Sequence, residues 1–283
     1  MKRQQILSVT FWAALAAPVA FFLGKALAPG AGLYTDLLAP KTIEWIAAVP
    51  KLLFLFLAAL VAADVARRFE AGNPSRPAWR LMAAGLLGLS LGQAGLTFLT
   101  LIQSRKDVFP SFADVFFVAG SLAVVAALVG FLKVYKASGF PLGGPWELRV
   151  VAGLAALVAA GVILPLLWPI FKAPAPAAEK LLNLAYPTLD FLMLIPAVLL
   201  LSVSLRFWGG RVWPVWGALT AGILFTAVAD ILFGYFSGLD HTQLESLVDA
   251  MYILSYGCFM GSVLYQRELL RPEAPAAAVA VTA

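Results

Sequence analysis

The residues best placed to do chemistry in this chain are acids that stand where acids are costly. Asp230 and Asp249 lie well inside two long apolar stretches, Val212–Phe236 and Thr242–Gln266, joined by the short loop Ser237-Gly238-Leu239-Asp240-His241. They are about equally far from the middle of that loop. If both stretches are membrane helices, the two carboxylates share one depth, roughly 9–10 Å below the outer helix ends. Exposure to lipid there costs about 2.5 kcal/mol or more per acid, so both are expected to face the bundle interior. Two like charges at one depth need a shared proton or an intervening cation. Tyr252 and Tyr256 follow Asp249 on the same helical face and offer hydroxyls to the remaining lone pairs. A purely structural Asp–Tyr network satisfies the same pattern without any ligand.

A second group of polar residues opens the other segments. Asp114 follows Ser111 at capping-box spacing, and an acid in the first turn gains about 0.3–1 kcal/mol from the helix dipole, so a cap accounts for it without a ligand. Tyr186-Pro187-Thr188-Leu189-Asp190 opens a further segment. Pro187 suits a first turn, and Asp190 lies one residue too deep for the simplest cap, which leaves cap and site both open. Ser90, Gln93, Thr97, Thr100 and Ser104 form one stripe. Such groups bond their own backbone or a neighbouring helix, or line a ligand path. The candidate ligand-binding set is therefore Asp190, Asp230, Asp249, Tyr186, Tyr252 and Tyr256, with Gln93 and Asp114 behind them.

The chemistry this set excludes is broad. The only histidine, His241, is in a loop, and the only cysteine, Cys258, is in an apolar segment, so thiol and imidazole metal sites, disulfides and Ser–His pairs are all missing. There is no phosphate-binding glycine loop. No catalytic residue and no cofactor is expected, and the chain is not read as an enzyme. Whether a metal ion could sit between the acids is left open.

The elements that must position these groups are membrane helices. Of 283 residues, 62% are hydrophobic and only 12% charged, against about a quarter charged in soluble domains. The pattern predicts an all-α, polytopic helix bundle of eight transmembrane segments: Ile6–Ala28, Pro50–Val65, Arg80–Ile102, Ser111–Leu132, Leu148–Trp168, Tyr186–Arg206, Val212–Phe236 and Thr242–Gln266. The count is seven if the first is a cleaved signal, for which Ala26-Leu27-Ala28 has the small-x-small form. Gly30–Val49 reads as a non-spanning loop, partly a surface helix around Ile43-Glu44-Trp45-Ile46. Seven basic residues (Lys25, Lys41, Lys51, Arg105, Lys106, Lys172 and Lys180) fall in one set of connections and the other 13 of the 20 in the opposite set. The positive-inside bias then puts both termini in the cytoplasm. Trp residues at 45, 79, 146, 168, 208, 213 and 216 fall near segment ends, as an aromatic belt would. Residues 1–271 form one transmembrane domain, and 272–283, rich in Ala, Pro and Val, are expected to be a disordered cytoplasmic tail.

The inward-running segments share an opening, with an acid near the outer end followed by an apolar run, which points to repeated helical hairpins. Pro110-Ser111-Phe112-Ala113-Asp114, Tyr186-Pro187-Thr188-Leu189-Asp190, Ala229-Asp230 with Gly234-Tyr235, and Asp249-Ala250-Met251-Tyr252 with Tyr256-Gly257 carry a family likeness. Through these motifs the chain resembles the multi-helix membrane sensor regions at the N-termini of some bacterial and archaeal diguanylate cyclases and histidine kinases. The resemblance implies signal transduction at the bacterial inner membrane: a sensor binding a small ligand or cation from the outer side. Family members are typically fused to a cytoplasmic output domain. This sequence ends soon after the eighth segment, so a cytoplasmic or membrane partner is expected to receive the signal. A small proton- or cation-coupled transporter and a structural subunit of a membrane complex are the alternatives. Apart from lipid and such a protein no partner is implied, and nucleic acid is not one.

Overall fold

The computed structural model describes residues 2–105, 108–139, 177–205, 210–236 and 242–271, with seven single positions between 146 and 176; side chains of 2–9, 35, 234–236 and 242–244 are excepted. Seven helices fall within these residues: α1 (Lys2–Leu27), α2 (Pro40–Arg68), α3 (Ser75–Thr97, continued by a wider turn over Phe98–Ile102), α4 (Phe112–Ala137), α5 (Ala177–Leu205), α6 (Trp213–Phe236) and α7 (Thr242–Leu269). Each is long and apolar enough to cross a membrane, with mean hydropathy of 1.5–2.6 over its best window. The protein is thus an all-α, multi-pass membrane protein. The expected segment Leu148–Trp168 apart from three single positions, the tail 272–283 and the loop holding His241 lie outside the described residues.

Two helices begin well before the positions expected from sequence. The second runs without a break from Pro40, not from Pro50, and its 29 residues span about 43 Å. Pro40 occupies the first turn, where its missing N–H costs nothing. Between it and Arg68 only Pro50 interrupts, and a single internal proline is tolerated when neighbouring helices support the freed carbonyl. The stretch expected as a loop, Gly30–Val49, therefore holds a short wide helical turn at Leu33–Leu37 and the first ten residues of α2. The sixth expected segment begins at Ala177, not Tyr186, so Pro187 is an internal residue and not a first-turn one. Thr188 Oγ1 bonds the Leu184 carbonyl one turn back, a local bond that accompanies the proline.

Packing sets the helix directions. Gly88 faces Gly120 and Gly95 faces Phe112, so α3 and α4 run antiparallel. Gly257 meets Leu15 and Gly261 meets Trp12, which sets α1 against α7 in the same sense. Ser255 Oγ donates to the Gly222 carbonyl and Ser262 Oγ to that of Val215, so α6 and α7 are antiparallel, as are α5 and α6 through Thr220 and Ala197. By contrast, Lys51 with Asp249 and Asp64 with Arg267 tie both ends of α2 and α7 in parallel. Tyr186 with Asp114 makes α4 and α5 parallel too.

The closest approach is between α3 and α4. A Cβ at Gly88 would lie 2.7 Å from the Gly120 Cα, and one at Gly120 would lie 2.7 Å from the Leu89 nitrogen, so only glycine lets the backbones meet. Gly92 and Gly257 receive the Phe117 ring and the Leu15 side chain. The α2 face bearing Leu55, Ala58, Ala62 and Val65 is buried, while Leu53, Phe56, Leu57 and Leu60 point outward as a lipid face should. Two tryptophans assigned to the belt are not there. Trp79 and Trp216 are buried, each packed edge-on against Phe131, and Trp216 Nε1 donates to Tyr135 Oη. An indole with a hydrogen-bond partner can be buried whole.

Candidate functional site

The helices bring most of the candidate residues into one cluster, in a different pairing from the expected one. On α5, Tyr186 and Asp190 are one turn apart and share a face. Asp190 is the fourteenth residue of its helix, about 20 Å from the start, so the cap reading left open for it does not apply. It is buried at 5% exposure. Its carboxyl lies within hydrogen-bonding reach of Asp230 on α6. Asp230 in turn accepts a short hydrogen bond from Tyr252 Oη on α7. Tyr256, one turn further along α7, is buried beside the same two acids, and its ring lies 5.9 Å from that of Tyr252, tilted by 34°.

Asp249 is not the partner of Asp230. Its Oδ1 accepts from Lys51 Nζ of α2 at 2.8 Å, and the same ammonium stands 5.9 Å from the centre of the Tyr252 ring. The expected pair fails because equal depth across a hairpin does not set helix rotation. Asp249 turns toward α2, and Asp230 turns toward α5. The charge pattern places Lys51 in an outer connection. It lies eleven residues into α2 with its side chain only 12% exposed. The one hint of this in the sequence is that no Gly or Asn separates Pro40 from Arg68.

Asp114 combines both roles considered for it. Its Oδ2 accepts from the Ser111 backbone N–H at 2.6 Å and from the Ser111 hydroxyl at 3.1 Å, completing the capping box of α4. Its Oδ1 accepts from Tyr186 Oη at 2.5 Å. The acid thus joins the N-terminus of α4 to the face of α5 that carries Asp190. Gln93 stays apart. It is buried and donates to Thr97 Oγ1 at 3.3 Å, while Thr97 and Thr100 bond carbonyls of their own helix. Among the described residues no bond joins Gln93 to the acids.

The arrangement has a specific chemical character. Two carboxyl groups can hydrogen bond to each other only when a proton lies between them. The Asp190 Oδ2 atom is buried, and no hydroxyl, amide or ammonium group among the described residues donates to it. Asp114 and Asp249, by contrast, each have strong donors. Within the described residues no three His, Cys, Asp or Glu side chains converge as a metal cluster. The donor set around the pair is carboxyl and phenol oxygen with aromatic faces. Comparison with protein-family models, with curated proteins and with solved structures finds no match to this chain.

Proposed function

We propose that this protein is a sensor of the bacterial cytoplasmic membrane, in which the Asp190–Asp230 pair receives a small ligand or cation from the outer side. The observation that carries the reading is the buried Asp190 Oδ2, which meets no hydroxyl, amide or ammonium donor among the described residues, whereas Asp114, Asp230 and Asp249 each accept from one. A polar atom left so in a membrane interior costs free energy until something meets it. Occupancy would change the packing of α5 against α6 and α7, and the shift would reach a partner at the cytoplasmic helix ends. A ligand drives such a shift only through its difference in affinity for the two packings. The motif likeness to sensor regions supports the same reading.

The inner half of the bundle favours sensing over transport. Below the acids, the hydroxyls of Ser255, Ser262 and Thr220 are spent on carbonyls of adjacent helices. Beneath them Trp79, Phe131 and Trp216 fill the interior. A transporter would need a polar route onward to the inner face. The directions of the described helices support eight crossings: α2, α4, α5 and α7 run one way and α1, α3 and α6 the other, so a return crossing is due between α4 and α5.

Thermal shift on the purified protein against a ligand panel tests the proposal. The expected result is a rise of several degrees with at least one ligand, lost in Asp190→Asn and Asp230→Asn. Asp249→Asn should lower the starting stability and keep the rise. If every variant merely lost stability and no compound shifted the unmodified protein, the cluster would be a structural network and the sensor reading would fall.

A further inference from the structure

We infer that the Asp190–Asp230 site takes one singly charged cation, bound in competition with a proton. This rests on the sensor reading and names the class of its ligand. The argument is one of charge. With one proton shared, the pair carries a single negative charge in a buried position. The described groups around it do not neutralise that charge. Tyr186 stands on the same helix, Asp114 on α4, and Tyr252 and Tyr256 on α7. The nearby ammonium, Lys51, is committed to Asp249 beyond the Tyr252 ring. Asp114 has its own compensation, since it sits at the N-terminus of α4 with the Ser111 amide, the Ser111 hydroxyl and Tyr186 as donors.

A buried net charge of one can be cancelled in two ways, by a second proton or by one monovalent cation. The geometry offers the cation more than charge. Asp190 Oδ2 has an open lone pair, at a carboxyl that is nine-tenths buried. The phenol oxygens of Tyr252 and Tyr256 can accept while they donate. A hard dication fits less well. It seeks six or more oxygens, usually from several carboxylates, and no third acid joins the pair as a metal cluster among the described residues. The recognised chemistry is therefore one small positive charge, supplied by an alkali ion or by a primary ammonium group.

Proton release decides the matter on the unmodified protein. The full chain in lipid nanodiscs, weakly buffered with a pH indicator, is titrated with sodium, potassium or methylammonium chloride, with choline as a bulky control at matched ionic strength. The expected result is up to one proton released per protein at saturation, with the apparent Kd rising about tenfold for each unit fall in pH once the neutral pair is the dominant form. The alkali and methylammonium arms separate the two kinds of cation. Asp190→Asn should abolish the release, Asp190→Glu should retain part of it, and Asp36→Asn, at an exposed acid in the short helical turn Leu33–Leu37, should change nothing. Release of two protons with calcium or magnesium alone overturns the inference. So does the absence of release with any monovalent ion over roughly pH 5 to 9. If release fails while a neutral compound still gives an Asp190-dependent thermal shift, the sensor reading survives with another ligand. If nothing shifts the protein at all, both fall together.

Discussion

Lys51 and Asp249 show how a charged pair behaves inside an apolar bundle. Their side chains are 12% and 28% exposed, so the pair is partly desolvated and either member alone would be left as an unpaired charge. Lys51→Met should therefore destabilise the protein by roughly 1–3 kcal/mol, less than a fully buried pair would lose because some solvent reaches Asp249. The combined variant Lys51→Met with Asp249→Leu should recover much of that loss, because it removes both charges at once. Thermal melts of the two single variants and the double variant measure the coupling directly, and a purely additive result would mean that the ion pair is incidental. At this scale the sequence was informative about which residues matter and uninformative about which residues meet. Asp230, Asp249, Tyr252 and Tyr256 stand out because charge and phenol groups are rare in apolar runs. Their partners depend on how each helix is rotated about its axis, and that is decided by neighbours far away in the chain, Lys51 among them.

Among the helices, α3 and α4 have the least freedom. Their backbones touch through Gly85, Gly88 and Gly120, and a methyl group at Gly120 would meet backbone atoms on the other helix, which cannot swing aside as a side chain can. Gly120→Ala should cost about 1–3 kcal/mol by forcing the pair apart. Gly72, in the turn before α3, has nothing within 4 Å of such a methyl. Gly72→Ala there should stay within roughly 0.5 kcal/mol. Equal losses at the two sites would remove the close-packing account. Helix identity was legible from apolar length. Helix starts were not. Pro50 and Pro187 read as first-turn residues, yet both lie inside continuous helices. A proline near the start of an apolar run looks the same whether the helix begins there or ten residues earlier, and tertiary support decides between the two.

For the whole molecule, the described helices divide into four running one way and three the other. With Cys258 replaced by Ala, a single cysteine at Ser138 should react with a membrane-impermeant thiol reagent from the cytoplasmic side, and one at Ala177 from the outer side. Labelling of both from the same side would remove the eighth crossing. Multi-pass character was plain from composition alone, whereas the parallel neighbours α2 with α7 and α4 with α5 were not foreseeable, because hairpin logic pairs only consecutive segments. That parallel pairing has a consequence for assembly. Helices α3 and α4 can close on each other as soon as both have left the ribosome, but α2 must wait for α7, the last of the described helices to be made. Until it arrives, Asp230 lacks Tyr252 and Lys51 lacks Asp249. The acid centre is therefore finished only once α7 has been made, and a chain halted before α7 would display unquenched charges within the bilayer, the kind of signal by which membrane quality control could tell a copy without α7 from one that has it.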